Sequence, residues 1–170
     1  MKRFAVAGFV AAMLAVPAGA QEAPKPGPEF DMLKRLVGTW DTTMKAGGME
    51  FKGTVTYKLD LGGLWLTSTL ESDLGGQKFS GRGFDTYDAG KKKYVSVWLD
   101  SMSTGPVLME GTFDPAKKAL TMAGEGPGPD GKPIKYRSVS EMPDDDTILF
   151  TMYMGDGKEP GFTITYKRKK

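Results

Sequence analysis

Residues 51–60, FKGTVTYKLD, decide the fold, because Phe51, Val55, Tyr57 and Leu59 alternate with polar side chains. A period of two residues is typical of a β-strand with one buried face. Nine other segments are similarly short and rich in strand-forming residues, so the sequence predicts about ten strands. Those segments are 39–45, 64–72, 78–85, 94–100, 107–113, 119–123, 134–142, 147–154 and 162–167.

Short turns separate these segments along the chain. Pairs such as Gly47-Gly48, Gly75-Gly76 and Asp130-Gly131 are typical of tight hairpins, which need backbone angles that glycine adopts easily. Connections of this length cannot hold the crossover that a parallel pair needs, so the sheet is predicted to be an antiparallel meander. A sheet of so many strands loses its unpaired edges by closing. The predicted fold class is therefore an all-β closed barrel.

Residues 1–20 are predicted to be a cleaved signal peptide. Lys2 and Arg3 precede an apolar run that ends at Val16, and small residues follow at 18–20. The run is too short for a transmembrane helix, so we expect no membrane insertion after cleavage. The expected location is the periplasm or the outside of the cell.

The rest of the chain is predicted to hold one domain. Residues 21–29 contain Pro24, Pro26, Gly27 and Pro28 and are interpreted as a flexible lead. In residues 30–36 the apolar side chains recur at spacings of three and four, which predicts a short N-terminal helix. Residues 30–170 then form the barrel domain, which is long enough to bury a core.

Composition excludes several classes of function. The formal charge of +2 is that of Lys2 and Arg3, so the predicted mature chain is neutral and is not expected to bind nucleic acid. The chain has no Cys and no His, which excludes disulfides, thiol nucleophiles, Ser-His-Asp triads and imidazole or thiolate ligation of metal or haem. We therefore predict no cofactor and no metal site.

The predicted interior suggests a cavity. Glycines at 53, 81, 83, 111 and 124 fall on inward positions, together with several methionines. Small inward residues leave volume unfilled and methionine adapts to irregular ligands, although such glycines also let strands bend. Aromatic and methionine side chains are the predicted ligand-binding set. They are Tyr94, Trp98, Met109, Met122 and Tyr136.

The segment Gly38-Thr39-Trp40, which follows the predicted helix, resembles the G-x-W signature of lipocalins and other calycins. The resemblance implies a calycin (lipocalin-like) barrel in which Trp40 closes one end beneath an Arg of the last strand. Arg168 stands at the matching position. The implied role of Gly38, Trp40 and Arg168 is structural.

Longer segments resemble a bacterial exported family whose function is unknown. They include residues 36–40, the LGGLWL turn at 61–66, WLDSM at 98–102 and EGTFD at 110–114. The resemblance covers nearly all of residues 30–167 and implies a calycin-like barrel without an established activity. That family often has a His near the position of Gly105, and this chain has none, so a mechanism based on that His does not carry over.

Three functional hypotheses follow. The first is binding of a small hydrophobic ligand in the barrel cavity. The second is a protein–protein interaction module that uses an outer barrel face at 64–70 and 95–99, where the strands are apolar on both sides. The third is a carboxylate-based lyase or isomerase, with Asp100 as the candidate catalytic residue because it shares a face with Tyr94, Ser96 and Trp98. The sequence defines neither the ligand nor the oligomeric state.

Overall fold

The computed structural model describes residues 24–170, and the predicted signal peptide lies outside the described residues. A 3₁₀ turn at Pro28–Phe30 leads into one short helix, α1, at Asp31–Leu36. Ten strands follow and confirm the predicted fold class. They are β1 (Gly38–Ala46), β2 (Met49–Asp60), β3 (Trp65–Asp73), β4 (Lys78–Asp88), β5 (Lys93–Asp100), β6 (Val107–Asp114), β7 (Ala119–Pro127), β8 (Pro133–Asp144), β9 (Thr147–Met154) and β10 (Phe162–Arg168).

The strands form a closed barrel in which each strand pairs antiparallel with its neighbours in sequence. Closure is made by β1 and β10, which pair from Trp40 opposite Arg168 to Lys45 opposite Thr163. Tight turns connect the strands as predicted. Gly47 and Gly48, between β1 and β2, both have positive φ, which a two-residue hairpin of type I′ requires.

The two ends of the barrel differ. At the end that we call the helix end, the 3₁₀ turn and α1 pack against the barrel. There the Tyr94 hydroxyl donates a 2.7 Å hydrogen bond to the Glu29 carbonyl, and Phe30 meets Tyr87 edge to face. Met32 and Leu33 are the buried residues of α1. Since a meander alternates direction, the loops at 47–48, 74–77 and 101–106 lie at the opposite end.

The interior follows the predicted alternation. Val55, Met109, Met122 and Ile148 are all buried. In the strands that are apolar on both sides, Leu66, Ser68 and Leu70 are the buried residues of β3, and Tyr94 is that of β5. Leu59 fits less well, being 38% exposed near the end of β2, where the interior gives way to the loop.

Within residues 24–170, no helix has the length and apolar character needed to cross a bilayer.

Candidate functional site

A cavity of about 390 Å³ occupies the barrel interior. It runs from Leu33 and Leu36 of α1 to Ala46 and Leu74 near the opposite end. Its volume lies within the range of small-molecule sites, about 300–1,000 Å³. Most of the lining is apolar, with methionines and aromatic rings from several strands. These are Met44, Met109, Met122, Met142, Tyr57, Phe79, Tyr94, Trp98, Phe150, Phe162 and Tyr166.

Four of the five predicted ligand-binding residues lie in the lining: Tyr94, Trp98, Met109 and Met122. Tyr136 lies outside it. The Tyr136 hydroxyl donates a 2.6 Å hydrogen bond to the Pro127 carbonyl, which ties β8 to the end of β7. In this structure Tyr136 therefore contacts a neighbouring strand and does not border the cavity.

The candidate catalytic residue Asp100 also lines the cavity, at the end of β5. Both of its oxygens already accept hydrogen bonds. Trp98 Nε1 donates to Asp100 Oδ2 at 2.9 Å, and the backbone N–H of Met102 donates to Asp100 Oδ1 at 2.9 Å. Asp100 thus orients the Trp98 indole and caps the following turn, as strand-end carboxylates commonly do.

A second carboxyl, Asp85, also lines the cavity, and sequence reasoning missed it. Asp85 stands in β4 opposite Leu66 of β3 and Ser96 of β5. Burial raises the pKa of Asp85 to about 6, while a hydrogen bond from the Ser96 side chain acts in the opposite direction. Asp85 keeps some accessible surface although protein surrounds it, because it lines the cavity. At neutral pH the cavity therefore contains a desolvated carboxylate.

Two tyrosines accompany Asp85. Tyr57 of β2 and Tyr166 of β10 both line the cavity, close enough for the phenols to affect each other's pKa. Burial raises the pKa of both phenols, and the negative charge of Asp85 raises them further. Both hydroxyls are therefore neutral at physiological pH. We call Asp85, Ser96, Tyr57 and Tyr166 the polar cluster.

A signal for Asp85 was present in the sequence. The alternation puts Gly81 and Gly83 on the inner face of their strand, and Asp85 follows at the same two-residue spacing. The alternation of β4 thus predicts an inward carboxyl. The pairing of Tyr57 with Tyr166 had no comparable signal, because it depends on closure of the barrel between β1 and β10.

The lining is unbalanced in charge. Asp85 and Asp100 are its acidic residues, and none of the described residues that border the cavity is Lys or Arg. Among residues 24–170, no three His, Cys, Asp or Glu side chains come together in an arrangement that could hold a metal ion.

The inward glycines make room for other groups. A Cβ at Gly81 would overlap the Trp98 indole, so this glycine makes room for the ring that Asp100 orients. A Cβ at Gly111 or Gly124 would overlap the carbonyl of the adjacent strand, at Thr121 and Leu108 respectively. At these two positions the glycines serve strand bending and close backbone approach.

The helix end is closed by packed and fully paired groups. Trp40 is 1% exposed, and its Nε1 donates a 2.8 Å hydrogen bond to the Leu36 carbonyl. The Arg168 guanidinium lies 4.1 Å from the centroid of the Trp40 ring. It also donates to the carbonyls of Val37, Arg35 and Asp145 at 2.6–3.0 Å.

The outer face of the predicted interaction strands carries an apolar row. Val97 of β5 lies between Phe84 of β4 and Leu108 of β6 in the strand register. Phe84 is 39% exposed and Leu108 is 52% exposed, and the nearby Leu99 is 42% exposed. This face is therefore uncovered in the isolated chain.

The fold and the cavity define a class: closed ten-stranded antiparallel β-barrels with a largely apolar internal cavity. The family model described as "Protein of unknown function (DUF1579)" matches residues 25–168. Since this is most of the chain, the protein belongs to the DUF1579 family.

A solved structure shares the architecture. The crystal structure of Rv2717c from M. tuberculosis is similar with a TM-score of 0.64 and 16% sequence identity, over 85% of this chain and 99% of that one. A redesigned β-barrel gives a TM-score of 0.46 at 16% identity, over 86% of this chain and 100% of that one. No curated protein matches the chain significantly. At 16% identity the likeness to Rv2717c concerns the fold alone.

Proposed function

We propose that this protein binds a small hydrophobic molecule inside the barrel. The observation that carries the proposal is the cavity of about 390 Å³, bordered mainly by methionine and aromatic side chains. Tight cores normally fill such a volume, because voids forfeit dispersion contacts. Flexible methionines on several strands suit an irregular apolar ligand.

The predicted signal peptide supports a second part of the proposal, that binding takes place in the periplasm or outside the cell. A carrier there would shield an apolar compound from water. Fractionation of cells that express the full chain, with N-terminal sequencing of the product, tests this part. Cleavage after residue 20 supports it, and an intact N-terminus in the cytoplasmic fraction contradicts it.

Binding itself is tested with a neutral fluorescent reporter, N-phenyl-1-naphthylamine, titrated against the purified protein. We expect saturable binding with one site per chain. Ser138 is buried and lines the cavity, so Ser138→Phe should fill part of it and weaken binding at least about tenfold, as one well-placed steric obstruction can.

The matched control is Val139→Phe on the same strand. Val139 points to the other side of the sheet, so the added ring leaves the cavity unchanged and reporter binding should stay at the wild-type level. Equal binding by both variants would contradict the proposed site. In a separate experiment, native mass spectrometry of the purified chain, followed by denaturing extraction, identifies any compound that copurifies with it.

A second candidate function is acid–base catalysis at the polar cluster. It is favoured by Asp85, a carboxyl whose pKa of about 6 lies close to neutrality, beside two neutral phenols. Extraction discriminates between the two functions. A carrier returns the compound that was supplied, whereas a lyase or isomerase returns a changed compound, and Asp85→Asn abolishes the change.

A further inference from the structure

The cavity contains a negatively charged side chain, Asp85, without a positively charged partner. Asp85 lies on the inner face of β4, and among the described residues no Lys or Arg borders the cavity or forms an ion pair with this carboxyl. The Ser96 side chain donates a hydrogen bond to this carboxyl, and the Tyr57 and Tyr166 phenols of the polar cluster line the same cavity. A carboxylate in such surroundings has lost water without gaining a counter-charge.

The groups beside Asp85 can complete a cationic site. Ser96, Tyr57 and Tyr166 each offer a hydroxyl oxygen that can accept a hydrogen bond from an N–H donor. A primary ammonium has three such donors and matches a carboxylate flanked by hydroxyl acceptors. The apolar remainder of the lining, from Met109 and Met122 to Phe150, suits a hydrocarbon chain.

We infer that the hydrophobic ligand carries a cationic amine head, which binds at Asp85, and an apolar tail, which lies along the methionine and aromatic wall. This inference rests on the proposed function and specifies its ligand class. Such a ligand supplies the counter-charge that the protein lacks. A long-chain carboxylate would instead bring a further negative charge into a cavity that already holds Asp85 and Asp100, and like charges in a desolvated site repel strongly.

The test is displacement of N-phenyl-1-naphthylamine by three compounds with the same tail: decylamine, decanol and decanoate. At pH 7.5 we expect decylamine to displace the reporter at a concentration at least about tenfold below that of decanol, because charge-assisted hydrogen bonds are roughly twice as strong as neutral ones. Decanoate should be the weakest of the three. If decylamine is no better than decanol, or if decanoate is the best, the inference is wrong.

The wild-type protein also provides a test that needs no variant. Asp85 must be ionised to pair with the amine, and its pKa is raised to about 6. Decylamine should therefore bind about tenfold more weakly at pH 5 than at pH 7.5, where its affinity levels off. The phenols that face Asp85, Tyr57 and Tyr166, stay neutral over this range, and Asp100 is the other carboxyl in the lining. Equal displacement at both pH values contradicts the inference.

Asp85→Asn assigns the effect to this residue. The substitution keeps the shape and removes the charge, so the preference for decylamine over decanol and its pH dependence should both disappear. The charge-matched control is Asp156→Asn, whose side chain is 96% exposed in the loop after β9, and it should keep both properties. If Asp85→Asn retains the preference, the head group binds elsewhere and the inference fails.

The outcomes separate the two claims. If the reporter binds in the wild type but amine and alcohol compete equally, the cavity is a hydrophobic site and only the amine inference fails. If the reporter fails to bind, or binds equally well to Ser138→Phe, the proposed function itself fails.

Discussion

Arg168 at the helix end and Asp85 in the cavity are two charged groups with opposite surroundings. Arg168, at the helix end, lies over Trp40, donates to three backbone carbonyls and approaches Asp146 at 3.2 Å. Asp85, in the cavity, has a hydrogen bond from Ser96 and no cationic side chain among the described residues. The protein supplies partners for the charge of Arg168, whereas it supplies no counter-charge for Asp85.

The difference separates a structural role from a binding role. A charge that is fully paired fixes one arrangement of the chain and resists change. A charge that is desolvated and unpaired lowers stability, and it persists where something outside the chain can complete it. The helix end therefore stabilises the barrel, and the polar cluster lowers its stability in the absence of a ligand.

The largest expected effect is at the helix end. Trp40→Ala removes a side chain that is 1% exposed, together with its hydrogen bond to Leu36 and its contact with Arg168. We expect the free energy of unfolding to fall by about 3–5 kcal/mol, as for other buried aromatic residues. Urea denaturation followed by circular dichroism measures the change.

Trp65→Ala is the control for Trp40→Ala. Trp65 is half-buried at the start of β3. Its substitution removes a side chain of the same size but less buried area, so the free energy of unfolding should fall by less than half as much. If the two variants lose the same stability, the closure of the helix end has no special energetic role.

The second effect has the opposite sign. The pKa of Asp85 is about 6 in the folded state, against an ordinary value of 3.8, so between these pH values the folded state holds a proton that the unfolded chain has lost. This group contributes stability below pH 4 that is lost as the pH rises to about 6, and the loss amounts to as much as about 3 kcal/mol. Asp85→Asn removes this loss, so the variant should be more stable than the wild type at pH 8, by urea denaturation.

The comparison with the other cavity carboxyl sharpens the point. Asp100 accepts hydrogen bonds from Trp98 and from the Met102 backbone, so Asp100→Asn should destabilise the protein or leave it unchanged.

The unfolding free energy of Asp85→Asn should also vary less than that of the wild type between pH 4 and pH 6. Destabilisation by Asp85→Asn at pH 8 would mean that the cavity carboxyl is paired in solution after all.

The third effect concerns a glycine of the barrel wall, Gly111, and its effect on stability. Gly111 of β6 approaches the carbonyl of Thr121 so closely that a Cβ overlaps it, and Gly111→Ala should cost about 1–2 kcal/mol because the strands must move apart to relieve this overlap. Gly105→Ala is the control, because its Cβ meets Pro127 at 3.6 Å, an ordinary contact. Thermal unfolding of both variants checks the difference, and equal melting temperatures would show that the strand relaxes freely.

Much of the fold could be predicted because it follows from local patterns. Alternation in residues 51–60 and glycine pairs such as Gly47-Gly48 depend only on neighbouring residues, and they were sufficient for strand number, strand direction and closure. The inward placement of Met109 and Met122 follows from the same alternation.

The polar cluster could be predicted only in part. Asp85 follows two inward glycines and could have been found by parity, but its loss of water depends on which side chains close around it. Tyr57 and Tyr166 meet because β1 lies between β2 and β10 in the closed sheet. Tyr136 has the alternation of a lining residue, yet its hydroxyl reaches the Pro127 carbonyl. These are tertiary effects that no short segment contains.

The smallest expected change in stability concerns a cation–π pair on the outer face, which we compare with the pair at the helix end. Arg137 lies 3.6 Å above the Tyr153 ring on the outer face of β8 and β9, closer than Arg168 lies to Trp40. Distance alone would make the outer pair the stronger one, but water screens it. We therefore expect Arg137→Ala to lower the free energy of unfolding by about 0.5 kcal/mol. Arg168→Ala should lower it several times more, because it also leaves three backbone carbonyls without their donor. Urea denaturation of both variants decides the point, and equal losses would show that ring contact, rather than pairing with backbone carbonyls, determines the strength of the closure.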